Sequence, residues 1–129
     1  MELSIGNIGL RVFVLGVLLV LTTGCGPALS DVPGRYVATT PAGSEEIIIV
    51  AGGNFDQFVT ELSGKTFHQK GTWKISDGKV VLYDMLMCVD MDGKVISPPK
   101  SGCVSGFSWH YKYIEVWDEA TYHWRYDKK

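Results

Sequence analysis

The sequence has no large excess of charge of either sign. Its 12 Lys and Arg residues and 14 Asp and Glu residues give a formal net charge of -2 at pH 7, and no cluster of basic residues occurs along the chain. A protein that holds nucleic acid needs a basic surface to attract the phosphates. The composition therefore predicts that nucleic acid is not a partner.

The common catalytic motifs are also missing. The sequence contains no Gly-x-Ser-x-Gly elbow, no His-Glu-x-x-His, no glycine-rich phosphate loop and no Cys-x-x-Cys. Each of these motifs brings a nucleophile, a base or a set of ligands to one point. We therefore predict that the protein is not an enzyme and needs no cofactor.

Patterns that would hold a metal ion are equally scarce. Asp90 to Gly93 resembles the start of a calcium loop, but Val95 to Ser97 follow where further oxygen ligands would be needed. An Asp-Gly pair at this position is typical of a hairpin turn. His68, His110 and His123 have no ligand-like spacing. No metal site is predicted.

The only long apolar run lies near the N-terminus, from Val12 to Leu21. Crossing a bilayer as a helix takes roughly 20 apolar residues, so this run is too short to span by itself. Arg11 precedes it and small residues follow it, which is the plan of a secretory signal peptide with a helical apolar region. An uncleaved anchor helix from Leu3 to Leu21 is the alternative, and it would have to bury Arg11.

The segment Leu21-Thr22-Thr23-Gly24-Cys25 resembles the lipobox of bacterial lipoproteins. The resemblance implies that residues 1–24 are removed, that Cys25 carries a diacylglycerol, and that the new N-terminus is acylated with a fatty acid such as palmitate. The protein would then be anchored to a membrane of the cell envelope. The alternative is ordinary cleavage nearby, which leaves Cys25 as a free thiol.

The residue after Cys25 bears on the location. Gly26 stands where an aspartate would favour the inner membrane of a Gram-negative cell. The resemblance therefore implies the outer membrane, facing the periplasm, in a Gram-negative source. In a Gram-positive source the same anchor implies the outer face of the plasma membrane.

Three cysteines are few, and their number is odd. If Cys25 is acylated, Cys88 and Cys103 are left as a possible pair in an oxidising compartment. A disulfide that closes a loop of about 15 residues would stabilise the fold by about 3 kcal/mol in the chain-entropy model. We predict this disulfide, and two buried free thiols are the alternative.

The rest of the chain has no stretch with helical spacing and caps over ten or more residues. Short β-prone runs alternate with turn signals instead, at 35–40, 45–50, 55–62, 66–75, 80–89, 110–117 and 121–126. The sequence therefore predicts a short lipidated tether over 25–33 and an all-β antiparallel domain over 34–129. Seven to nine short strands can hide their edges by closing into a small barrel. A two-sheet β-sandwich is the alternative.

Several short motifs in this domain look like those of small lipocalin-like barrel domains in bacterial envelope lipoproteins. They are Gly34 to Tyr36, Glu46 to Ile49, Gly53 to Phe55, Gly71 to Trp73, and Val80 to Leu82. The resemblance implies a barrel fold and, by itself, no particular ligand.

Aromatic residues are concentrated near the C-terminus. If a hairpin turns at Asp118-Glu119, Tyr113 lies opposite Trp124 and Tyr111 opposite Tyr126, so the alternating side chains share one face. That face would hold Trp109, Tyr111, Tyr113, Trp117, Tyr122, Trp124 and Tyr126. It is predicted either to be core or to form an open binding platform.

Function is predicted from these features together. The leading hypothesis is a non-enzymatic, membrane-anchored barrel that takes a small apolar or glycan ligand at its mouth. The predicted ligand-binding residues are Trp109, Tyr111, Tyr113, Tyr122 and Trp124. The alternative is a protein-interaction module, such as an inhibitor, assembly factor or stress-related envelope protein, acting through its loops. Cavity volume separates the two, since a barrel filled by its own side chains has no room for a ligand.

Overall fold

A computed structural model describes residues 28–116 and 124–129, and the structural statements below concern these residues. They form eight β-strands. The strands are β1 (Gly34–Thr40), β2 (Gly43–Val50), β3 (Asn54–Glu61), β4 (Thr66–Ser76), β5 (Lys79–Val89), β6 (Val95–His110), β7 (Tyr113–Val116) and β8 (Arg125–Lys128).

The strands form one closed antiparallel barrel in sequence order. Each strand pairs with the next one along the chain, and β8 closes the barrel by pairing with β1, Tyr36 opposite Lys128 and Val37 opposite Asp127. The predicted all-β antiparallel barrel is confirmed, and the sandwich alternative is wrong. Closure removes the free sheet edges that a short-stranded sheet would otherwise expose.

Alternating burial explains why these segments are strands. In β2, Glu45, Ile47 and Ile49 face the interior, while the residues between them face outward. Period-two burial of this kind is what a half-buried strand requires. Turn chemistry fixes the connections: Asp77 and Gly78 both have positive φ angles between β4 and β5, as a two-residue type I′ hairpin turn demands.

The segment 28–33 packs against one end of the barrel. Val32 is fully buried in the main core cluster, and the Tyr36 hydroxyl donates a hydrogen bond of 2.6 Å to the Val32 carbonyl oxygen. The Lys128 ammonium group donates to the carbonyl oxygen of Asp31 over 2.9 Å. The packed domain thus begins before Gly34, inside the stretch predicted as a tether. The predicted signal peptide, residues 1–24, and Cys25 lie outside the described residues.

The loop predicted between Cys88 and Cys103 is mostly strand. β6 begins at Val95 and runs through Pro98 and Pro99. Among the described residues, β7 pairs with β6 only from Phe107 to His110. Proline lacks a backbone N–H and is tolerated where a strand has no partner on one side. The Gly and Pro residues between Cys88 and Cys103 are typical of a loop, but most of this segment forms a strand that resembles an edge strand.

The predicted disulfide is absent, because Cys88 and Cys103 are both free thiols. Two register shifts lie between Met85 and Val89, and Cys103 pairs across the sheet with Met85, three residues before Cys88. The Cys88 thiol faces the interior, 4.0 Å from the Thr40 hydroxyl oxygen, whereas the Cys103 thiol is directed toward the Lys100 carbonyl oxygen, at 3.7 Å. The irregular pairing of β5 with β6 separates the two side chains.

The barrel has two distinct ends. The N-terminal end carries the segment 28–33 and the turns at 51–53, 77–78 and 111–112. The opposite end carries the turns at 41–42, 62–65 and 90–94.

In the portion of the chain that the structure describes, no helix is long and apolar enough to cross a membrane.

Candidate functional site

The C-terminal hairpin does not have the predicted register. Tyr113 lies opposite Asp127, Ile114 opposite Tyr126 and Glu115 opposite Arg125, and the Val116 amide donates to the Trp124 carbonyl oxygen over 3.0 Å. The pairing of Tyr113 with Trp124 was therefore wrong. Ile114 and Val116 face the interior with Trp124 and Tyr126, so Tyr113 and Trp124 are on opposite faces.

A turn that the aromatic pattern concealed explains this difference. β6 ends at His110 and the chain reverses at Tyr111 and Lys112, so that His110 pairs with Tyr113 and Trp109 with Ile114. Residues 109–116 are consequently split between two strands, and the alternation changes face at the turn. Burial of Ile114, which is completely enclosed, favours this register over the one that would gather the aromatic rings.

The predicted ligand-binding aromatics that the structure describes do not share one face, although the rings of Trp109 and Tyr111 are in contact, with their centroids 4.6 Å apart. Trp109 packs against the main core, while Tyr111 lies in the turn with 75% of its surface exposed. Tyr113 faces outward, with the Arg125 guanidinium 4.4 Å above its ring centroid. Trp124 is buried. Tyr122 and the turn predicted at Asp118-Glu119 lie outside the described residues.

The barrel interior next to Trp124 is nearly filled. A void of about 10 Å³ remains there, lined by residues that include Glu45, Leu86, Cys88, Trp124 and Tyr126. A cavity needs roughly 10 to 15 Å³ of this kind of volume to hold one water molecule. The space can therefore accept a water molecule at most, and a lipid chain or a sugar ring does not fit in it.

Buried polar side chains form a connected network around Glu45. The Gln57 side-chain amide donates to Glu45 Oε1 over 3.1 Å and to the Leu86 carbonyl oxygen over 2.9 Å. Gln57 Oε1 accepts from the Leu86 amide at 2.7 Å. The Tyr126 hydroxyl donates to Glu45 Oε1 over 2.9 Å, and the Trp124 indole N–H donates to Tyr126 over 3.3 Å. The network ties β2, β3, β5 and β8 together across the interior.

Burial raises the pKa values of the titratable groups in this network, which favours their neutral forms. Loss of solvent raises the pKa of Glu45, an effect that its hydrogen bonds with Cys88, Tyr126 and Gln57 oppose. Burial also raises the pKa of the Cys88 thiol, and the neighbouring Glu45 adds to that rise. The pKa of Tyr126 is raised for the same two reasons. A thiol is nucleophilic only as the thiolate, so this arrangement favours a structural role for the network over a catalytic one.

The raised pKa of Glu45 predicts a pH-dependent contribution to stability. Because the folded state holds the Glu45 proton more tightly than the unfolded state, this contribution is complete below the ordinary glutamate pKa of about 4.3 and is lost as pH rises through the folded-state pKa. Within that window the free energy of unfolding should fall by up to about 1.4 kcal/mol per pH unit. Glu45→Gln should remove this slope in chemical denaturation measured from pH 4 to pH 8.

Glu46→Gln is the matched control for this experiment. Glu46 is the neighbouring residue on the outer face, where its carboxylate pairs with the Arg35 guanidinium at 3.0 Å. The Glu46 variant should keep the decline with rising pH. Parallel stability curves for wild type and Glu45→Gln would contradict the assignment.

A second cluster lies on the outer surface of β3 and β4, which we call the Phe58–His68 patch. The two rings stack with their centroids 4.4 Å apart and an interplanar angle of 2°, because Phe58 and His68 are directly opposite in the register. Asp56 Oδ1 lies 2.8 Å from His68 Nε2. Phe58 keeps 40% of its surface exposed. A surface cleft of about 420 Å³ adjoins the patch, lined by Phe58, Val59, Thr60, Thr66, Phe67 and His68.

Neither cluster was predicted, although both leave a sequence signal. Glu45 interrupts the inward-facing alternation that continues with Ile47 and Ile49, and Gln57 does the same between Phe55 and Val59. Phe58 is an aromatic residue on the otherwise polar face of β3. A search for residues that break the inside-outside alternation would have found all three.

The turn predicted at Asp90 to Gly93, in preference to a calcium loop, is present. Asp90 Oδ1 accepts hydrogen bonds from the amides of Asp92 and Lys94 at 2.9 and 2.8 Å, which is the geometry of an aspartate-stabilised turn. Among residues 28–116 and 124–129, no group of three or more His, Cys, Asp or Glu side chains is placed to hold a metal ion.

Comparison of the chain with known protein families, with characterised proteins and with solved structures finds no match. The residues and their geometry are therefore the basis for any functional conclusion.

Proposed function

We propose that this chain is a lipid-anchored lipoprotein of the bacterial cell envelope whose barrel binds a partner protein through its outer surface and catalyses no reaction. The anchor is proposed from the lipobox-like Leu21 to Cys25. We also propose that the barrel is lipocalin-like, from the short motifs it shares with such domains. The location depends on the source: the outer membrane in a Gram-negative cell, or the outer face of the plasma membrane in a Gram-positive one.

The choice of a partner protein over a small ligand rests on the nearly filled interior of the barrel. A small apolar or glycan ligand needs a cleft or cavity of several hundred Å³, whereas the void beside Trp124 is about 10 Å³. The two surface clefts of about 410 and 420 Å³ are lined by residues other than the predicted ligand-binding aromatics. Of the aromatic residues predicted to line a ligand site, Trp109 and Trp124 pack in the core whereas Tyr113 faces outward. The protein-interaction alternative needs no cavity and is the better supported of the two.

The Phe58–His68 patch is the proposed contact surface. Interfaces are enriched in aromatic side chains at their centre and polar residues at their rim. Phe58 supplies an exposed ring, and the pairs Asp56–His68 and Arg35–Glu46 supply charged neighbours on the same outer face. These features fit a protein partner with an apolar centre and polar edges.

Cross-linking capture from the native envelope, with proteins and lipids both identified, tests the proposal. Phe58→Ala should reduce recovery of the partner by about tenfold or more, as expected for an aromatic at the centre of an interface. Val104→Ala is the matched control, because Val104 is an exposed apolar residue on β6 and its loss should leave recovery unchanged. Cys25→Ser should release the protein from the membrane.

Different results would contradict different parts of the proposal. Equal recovery with the Phe58 and Val104 variants would exclude the patch. Capture of a bound lipid or glycan without a protein would favour the small-ligand hypothesis. A membrane-bound mature protein that retains Met1 would overturn the lipid anchor.

A further inference from the structure

The two ends of the barrel differ in charge. Exposed lysines at the N-terminal end include Lys74, Lys112 and Lys129, and the acidic residues in the turns and terminal segment there are Asp31 and Asp77. The opposite end carries three acidic residues in or beside its turns, Glu61, Asp90 and Asp92, against two lysines, Lys65 and Lys94. Lysine side chains favour an anionic lipid surface, and carboxylates do not.

The chain also enters the barrel at the basic end. Ala28 begins the described segment, and Cys25 is three residues before it. Because an extended residue spans at most about 3.6 Å, Cys25 lies within about 11 Å of Ala28 whatever path the chain takes. The buried Val32 and the bond from Lys128 to Asp31 hold the following segment against the barrel. A lipid on Cys25 would therefore keep this end close to the membrane.

An apolar cleft opens at the same end. It has a volume of about 410 Å³ and is lined by Leu29, Ser30, Ala51, Gly52, Gly53, Trp73 and Lys74. Leu29 is 69% exposed. Exposed apolar side chains also occur at the opposite end, where Leu62 and Met91 lie. Apolarity thus does not distinguish the ends, but positive charge and the attachment of the chain both select the N-terminal one.

We infer that the N-terminal end of the barrel rests on the anionic phospholipid surface in which the protein is anchored. Lys74, Lys112 and Lys129 contact the phosphate headgroups. Leu29, beside the turn at 51–53, lies among these headgroups. This inference rests on the proposed lipid anchor. Phe58 and His68 lie on the side wall of the barrel, so this orientation leaves the proposed partner surface accessible.

The full-length acylated protein in lipid vesicles provides the test. A fluorophore is placed at Ala51→Cys or at Leu62→Cys, one at each end of the barrel, with Cys103→Ser to remove the partly exposed thiol. Nitroxide-labelled lipids quench fluorophores that approach the headgroups. In vesicles of phosphatidylcholine with phosphatidylglycerol, quenching should be stronger at residue 51 than at residue 62. Added salt should weaken the difference, since the attraction is screened.

Charge variants test the lysines directly. At about 1 kcal/mol per lysine near an anionic surface, each lysine favours the resting orientation by about fivefold. Lys112→Gln combined with Lys129→Gln should therefore lower, by about 25-fold, the ratio of anchored barrels whose N-terminal end contacts the membrane surface to anchored barrels in which it does not. Lys65→Gln combined with Lys94→Gln is the matched control at the opposite end, and it should leave that ratio unchanged.

Two failures can be told apart. Equal quenching at residues 51 and 62 in protein that floats with the vesicles would mean that the anchored barrel has no preferred orientation, and this would overturn the inference alone. Failure to float with neutral phosphatidylcholine vesicles would overturn the lipid anchor, and with it the inference that rests on it.

Discussion

Replacing Trp124 with alanine is expected to lower the free energy of unfolding by about 3 to 5 kcal/mol. Trp124 is buried in the main core cluster, and its indole N–H donates to the Tyr126 hydroxyl, which in turn donates to Glu45. The substitution leaves a large cavity and weakens a buried hydrogen-bond chain. Urea or guanidinium denaturation monitored by circular dichroism measures the change.

Tyr113→Ala is the control for this prediction. Tyr113 is an aromatic residue of the same hairpin, but it faces outward against Arg125 and His110, so its loss should cost about 1 kcal/mol or less. Similar losses from the two variants would indicate that the hairpin has the other register, in which Tyr113 and Trp124 share a face. The pair of variants therefore tests the register and the filled interior at once.

Replacing Gly71 with alanine is expected to destabilise the barrel by about 3 kcal/mol, at the upper end of the usual cost of overpacking. A β-carbon at residue 71 would lie 2.1 Å from the Tyr83 carbonyl oxygen and 2.6 Å from two ring carbons of Phe55. Phe55 is directly opposite Gly71 in the register and its ring occupies the space that the glycine leaves. The carbonyl belongs to the backbone of β5, so the strand itself would have to move.

Gly106→Ala is the matched control, because Gly106 also lies within a strand but a β-carbon there would meet nothing within 4 Å. That substitution should change the free energy of unfolding by less than about 0.5 kcal/mol. Thermal and chemical denaturation of the two variants would give the comparison. Equal stability of both variants would contradict the close packing of Phe55 over Gly71.

The sequence by itself determined the all-β class, the antiparallel connections and most of the strands. β1 to β5 lie within one or two residues of the β-prone runs, because each is bounded by a turn whose residues encode it locally. Asp77-Gly78 and Asp90 to Gly93 are examples, since their conformations depend on side chains only a few residues away. Closure into a barrel followed from the need to hide the edges of many short strands.

Only the tertiary structure decided the features that depend on contacts between distant segments. The hairpin register was chosen by burial of Ile114 and Val116 against a core built from all the other strands, which outweighed the pairing of aromatic rings. The thiols of Cys88 and Cys103 were separated by register shifts that leave no local signature. Glu45, Gln57 and Tyr126 come from three strands and meet only when β8 closes on β1. Turns depend on the residues that form them and their neighbours, so the sequence predicts them directly. Strand register and interior contacts depend on which side chains the closed barrel can bury, so they are decided only by the tertiary structure.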